Sequence, residues 1–158
     1  MIMESYKSAA PEPEYDGKMS PKHTRPETVA SVENVPNPVL TKVLEDLEEA
    51  RLRHGDSHCT VADAWNALGL VRIHMDRNAE AARDCQLKAL EIYRSCLQYK
   101  ESAIALSDLA YCFEQLGEQE SALQKYQESL DLLKKSQLSE EHPLVLSTRR
   151  AVSRVRRE

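Results

Sequence analysis

Three sets of residues in this chain have the types and spacing to do chemistry. The first is His54, His58 and Cys59, since imidazole and thiolate are the ordinary ligands of zinc. They straddle Gly55 and no fourth ligand lies close by in sequence, so a structural turn is expected there rather than a metal site. The second is the run Arg149, Arg150, Arg154, Arg156 and Arg157, opposed after Leu144 by Glu158 alone. Guanidinium groups pair bidentately with carboxylates and phosphates, so an acidic partner or a nucleic acid could dock there. No aromatic residues interleave with these arginines, which argues against nucleic acid. A solubilising end is the plainer reading. The third set comprises the carboxylates and glycines that catalysis would draw on. Gly17, Gly55, Gly69 and Gly117 are too scattered to cradle a phosphate, and no nucleophile stands beside a base. The many Glu residues lie beside Lys or Arg, where solvated pairing one helical turn apart explains them. No enzymatic activity, cofactor or metal is therefore expected.

The elements that must position such residues follow from composition and periodicity. The 158 residues include 30% charged and 41% hydrophobic ones, a single Phe and a net charge of -5, a balance that favours a helical protein with one core. No apolar stretch approaches the ~20 residues that cross a bilayer, and the first twenty residues lack the apolar block of a signal peptide, so a cytoplasmic setting is expected, with the nucleus also open. Cys59, Cys85, Cys96 and Cys112 form no CxxC pair and read as free thiols in a reducing compartment. Residues 1–37 hold five of the seven prolines, mixed charge and small residues, and read as a disordered arm. Within it Ser20-Pro21 fits either a proline-directed phosphorylation site or plain linker.

Residues 38–158 read as one helical domain. Leu40, Val43, Leu44, Leu47 and Arg51 share one side of a first helix that ends at His54-Gly55. A second carries Trp65, Leu68, Gly69, Arg72 and Ile73, and a third, after the turn Asp76-Arg77-Asn78, carries Ala82, Cys85, Ala89, Ile92, Tyr93 and Cys96. The chain then repeats with a period of about 41 residues. Leu106, Leu109, Ala110 and Phe113 reproduce the spacing of Trp65, Leu68, Gly69 and Arg72, and Ala122, Tyr126, Ser129, Leu130 and Leu133 answer Ala82, Gln86, Ala89, Leu90 and Tyr93. The phrase at Ser139–Val145 returns to that at Gly55–Val61, 84 residues earlier, and opens a last, arginine-faced helix. Repeats of this length cannot each bury their own apolar stripe, so about six helices must stack around a shared core, the arginine-rich one capping the end.

These residues resemble tetratricopeptide repeats. Leu106, Leu109, Ala110 and Phe113 supply the pattern of the family's first helix, and Gly117, Ala122, Tyr126, Ser129 and Leu130 that of its second, with Trp65, Leu68, Gly69, Ala82 and Ala89 matching in the first copy. The His-containing phrase and Ala89-Leu90-Glu91-Ile92 are similar to the 42-residue repeats of kinesin light chains, although no coiled coil of the motor-binding kind occurs. The resemblance implies an all-α, short right-handed superhelix of antiparallel helix pairs whose first helices line a concave groove.

It also implies where a peptide would lie: along Asp63, Asn66, Leu70, Ile73 and His74 in the first copy and Ile104, Ser107, Tyr111, Glu114 and Gln115 in the second. Arg149, Ser153 and Arg156 follow as contacts to an acidic partner, in a register that could shift by one. Asn66 matches the first amide of the Asn-Asn pair of light-chain repeats. Tyr111 could stack on a ligand or simply pack. Leu70 stands where chaperone-binding members carry a clamp Asn, which disfavours that partner. The function so implied is a non-enzymatic adaptor or scaffold that holds a protein or peptide segment. A regulatory or assembly subunit using the convex face or the solenoid ends is the alternative. A binder of nucleic acid or anionic membrane through the terminal arginines comes after it. Oligomeric state is left open.

Overall fold

The computed structural model describes residues 37–157; the proline-rich arm and its phosphorylation dipeptide fall outside them, but for Asn37. Six helices run in order: α1 (Pro38–His54), α2 (Cys59–His74), α3 (Ala79–Ser95), α4 (Tyr99–Gln115), α5 (Gln119–Lys135) and α6 (Pro143–Val155). No strand occurs among the described residues. Each helix packs on its neighbours in sequence, and in addition the backbones of α2 and α4, and of α4 and α6, come close, whereas α1, α3 and α5 reach one another only through side chains, as in the Arg94–Glu128 ion pair at 3.5 Å. The even-numbered helices thus crowd together on the inner side of the stack, and the odd-numbered ones spread over its outer side. This is the all-α, tetratricopeptide-like solenoid anticipated from the repeat.

Helix boundaries have local causes. Asn37 and Asn78 cap α1 and α3 by accepting hydrogen bonds from Val39 and Ala81 backbone N–H groups at 3.0 Å. The histidines of the repeated phrase do the same work for α2 and α6. His58 Nδ1 accepts from the Thr60 N–H at 3.3 Å and His142 Nδ1 from the Leu144 N–H at 3.2 Å, with Pro143 opening α6 as its first residue. Each inter-helix turn passes through one left-handed residue: Gly55, Arg77, Leu97, Gly117 and Gln137, with φ between 52° and 78°. Glycine takes that conformation without strain, but the three side-chain-bearing residues do so against a steric cost.

The core is continuous along the stack. Ala62, Ala89, Leu90, Tyr93, Leu106 and Leu109 join α2, α3 and α4 at its centre, with Trp65 packed against them. Leu47, Val61, Leu68 and Cys85 bring in α1, while Ala110, Tyr126, Val152 and Val155 close the other end. Where helices approach most closely the residues are small. A Cβ on Gly69 would come within 2.5 Å of the Gln86 side chain, so only glycine leaves room for that buried amide. Arg72, which stands where the second copy has Phe113, is half-buried and ion-paired with Asp76 at 2.9 Å. All four cysteines are free, Cys85 and Cys112 buried and Cys59 and Cys96 partly so. Burial pushes Cys112 up to about 12 and leaves it inert as a thiolate.

Candidate functional site: the inner face of α2, α4 and α6

The sites suggested by sequence fall into three regions. His54 and His58 stack with their ring centroids 4.6 Å apart in the α1–α2 turn, where Nδ1 of His58 caps α2. No group of three metal-ligating side chains occurs among the described residues.

The residues expected to line the groove lie on the inner helices, but several are already engaged with other parts of the chain. Asp63 accepts a hydrogen bond from the buried Tyr93 hydroxyl at 2.6 Å, tying α2 to α3. Burial first, and Asp63 second, hold the Tyr93 phenol well above its ordinary range. Asn66 takes the Gln86 amide on its backbone carbonyl at 3.4 Å, and its side-chain oxygen is buried with no partner. Ile73 is buried with Ala82 and Cys112 and so belongs to the core. Ser107 sits 2.8 Å from the Ser129 hydroxyl, which itself donates to the Ala103 carbonyl at 2.7 Å, so Ser107 is the donor in that pair. Glu114 receives two hydrogen bonds from Arg154 at 2.8 and 2.9 Å, a brace from α4 to α6 that also reaches Tyr126. Burial, then Glu114, raise the Tyr126 phenol as well.

What is left facing the groove is a smaller set. Tyr111 stacks on His74 across α4 and α2, with centroids 5.8 Å apart. Around them a recess of about 370 Å³ is lined by Ile73, His74, Arg77, Ala79, Tyr111 and Gln115. Leu70 and Ile104 are half-buried, and Gln115 is exposed. Between α4 and α6 two further recesses, of about 310 and 150 Å³, share the wall Ser107, Asp108, Ser147 and Thr148. Asp108 was not among the residues expected in the groove. Burial alone raises its carboxyl to about 6. A signal for it is present in the sequence: Ile104, Ala105, Tyr111 and Cys112, one turn to either side, include no base to pair with it.

The third expected set sits at the far end. Arg149 and Ser153 line a shallow recess of about 560 Å³ on α6 together with Leu146, Arg150, Arg154 and Arg157, whereas Arg156 lies outside that lining. Arg149 pairs with Glu140. The α6 residues that face α4 across the groove are Ser147, Thr148, Ala151 and Arg154, a different stripe from Arg149, Ser153 and Arg156. On the opposite side of the stack, Lys88 lies 4.1 Å over the Trp65 ring in a recess of about 520 Å³.

The fold and the inner face define a helical-repeat scaffold. Residues 60–135, the span of α2 to α5, match the family model for the tetratricopeptide repeat, which supports a tetratricopeptide-repeat protein and, with it, the kind of repeat that generally mediates protein–protein interaction. No curated protein matches the chain. No described helix is long and apolar enough to cross a membrane.

Proposed function

We propose that this protein is a non-enzymatic adaptor that holds a segment of another protein in the groove formed by α2, α4 and α6. The observation that carries this reading is the row of recesses along the inner helices, from His74 and Tyr111 to Ser147 and Arg154, which combines an aromatic pair, hydroxyls and charges on a rigid frame. Its polar groups can meet the amides of an extended chain, and its depth suits side chains rather than a whole small molecule. Arg149, Ser153 and Arg156 extend the surface beyond the groove as contacts for acidic residues of the same partner. The capping histidines, 84 residues apart, support the light-chain type of 42-residue repeat. Four free thiols suit a cytoplasmic setting.

Site-specific photo-crosslinking tests the reading. A benzophenone side chain at Ser147, exposed in the groove, should capture the cellular partner, and the same probe at Leu87, exposed on the outer helix α3, should not. Capture from Leu87 alone would assign function to the outer face, as in an assembly subunit.

A further inference from the structure

The inner face holds a charge that no other described residue answers. The Asp108 carboxyl opens into both recesses between α4 and α6, and no hydrogen bond or ion pair reaches it among the described residues. The surrounding elements offer it little. From α2 comes His74; from α5, Ser129 and Tyr126; from α6, Ser147, Thr148 and Arg154. Arg154 donates to both Glu114 oxygens instead, and Thr148 donates its hydroxyl to the Leu144 carbonyl at 2.8 Å. A half-buried carboxylate without a partner is costly in a folded chain, and the cost is recovered when a cation arrives.

We propose that Asp108 receives the cationic side chain, lysine or arginine, of the segment held in the groove. This rests on the groove reading above and names the residue class that the groove selects. The geometry favours a long basic side chain for three reasons. Its aliphatic stem can lie along the α4–α6 cleft, where Ile104, Leu133 and Leu144 supply apolar wall. Its head group then meets the carboxylate, with the Ser107 and Ser147 oxygens beside it as further acceptors. The Tyr111 ring, fixed by His74, offers a face for a guanidinium or ammonium at the recess mouth. An acidic side chain is rejected at this position by like charge, so Asp108 discriminates as well as attracts. A bare metal ion is disfavoured, because a single carboxylate with hydroxyls is too few hard donors to hold one.

The test uses a random dodecamer peptide display library, selected on the full chain, and synthetic peptides made from the enriched sequences. The proposal predicts a lysine or arginine at one fixed position. It also predicts about a tenfold loss of affinity when that residue is replaced by norleucine or citrulline, and a similar loss for the original peptide on Asp108→Asn. The two losses should not add: the citrulline peptide should bind wild type and Asp108→Asn equally. Circular dichroism of Asp108→Asn checks that the helices persist. Ser147→Trp, which fills the groove and keeps the Asp108 carboxylate in the chain, separates the two levels of the reading. Peptides that lack a basic position but are lost on Ser147→Trp would overturn the role of Asp108 and leave the groove standing. Peptides indifferent to both substitutions, or no enrichment at all, would overturn both.

Discussion

The two complete helix pairs, α2–α3 and α4–α5, share a register and solve it differently. In the first, Gly69 makes room for the buried Gln86, whose Nε2 reaches the Asn66 carbonyl while its own oxygen and that of Asn66 are left without partners. In the second, Ala110 and Tyr126 occupy the corresponding places, and polar groups are paired: Ser107 donates to Ser129, Ser129 to the Ala103 carbonyl and Arg154 to Glu114. On the inner face the contrast reverses. The first pair presents Ala67, and the second presents Asp108, a charge its own surroundings do not meet. The difference teaches that the shared register fixes where small and large residues alternate, and that satisfaction of buried polar groups is independent of it. The better-satisfied pair is the one that carries the costly inner-face group, as expected where a rigid frame holds a binding residue.

Six substitutions would break or sharpen this contrast. The largest effect is expected from Tyr126→Ala, which empties a buried aromatic site and removes the phenol beside Glu114. A loss of about 3 to 5 kcal/mol in denaturant unfolding is predicted. Gln86→Ala, its counterpart, should cost less, because it also removes an unsatisfied amide oxygen.

Next comes Asp108→Asn, which should stabilise the chain by about 1 to 3 kcal/mol at pH 7. The folded carboxyl titrates near 6 against an ordinary 3.8, so the folded state binds the proton more tightly than the unfolded one. Wild-type stability from this group therefore rises as pH falls through 6 towards 4. The advantage of the Asn variant should shrink over the same window and vanish below it. The charged or titratable groups beside it are His74, Glu114, Cys112, Tyr126 and Arg154, of which Cys112 and Tyr126 keep their protons throughout that window and Arg154 and Glu114 pair with one another. Thermal unfolding at several pH values between 4 and 7 measures it.

Gly69→Ala follows, with a predicted loss of about 1 to 3 kcal/mol as the new methyl displaces Gln86. Ala110 already carries that methyl in the second pair, which is why the two are not interchangeable. The smallest effect is at the turns. Leu97, with φ 55° and its side chain 70% exposed, should gain about 0.5 to 1 kcal/mol on substitution by glycine. The reverse change, to leucine, at Gly117, which takes the same left-handed conformation in the α4–α5 turn, should cost a similar amount.

Much of the fold was legible because periodicity reports directly on burial. Trp65, Leu68 and Gly69 against Leu106, Leu109 and Ala110 gave the two inner helices, and the phrase around His58 and His142 marked the start of another pair. The turns were read only where glycine or polar residues marked them. Nothing in Leu97 or Gln137 signals a left-handed backbone, which the helix-terminating hydrogen bonds impose. The inner face was harder for a similar reason. A single helix shows which stripe points inward, but a flanking position can face its own partner helix, the next inner helix or the open groove. Asp63, Ser107 and Glu114 therefore turn out to be ties between helices. Asp108 is hard to see in sequence because it adjoins Leu109 of the core, and the missing base one turn away is the mark it leaves. Arg149, Ser153 and Arg156 were carried over by register from the second pair; in α6 that register is taken past the face that meets α4.

Hydrogen–deuterium exchange with a display-selected peptide bound tests the central claim most directly. Occupation of the groove predicts added protection in the segments around Ser107–Tyr111 of α4 and Ser147–Ala151 of α6, with α1 and the outer surface of α3 unchanged. Protection confined to α1, α3 and α5 would place the ligand on the outer helices and contradict the account.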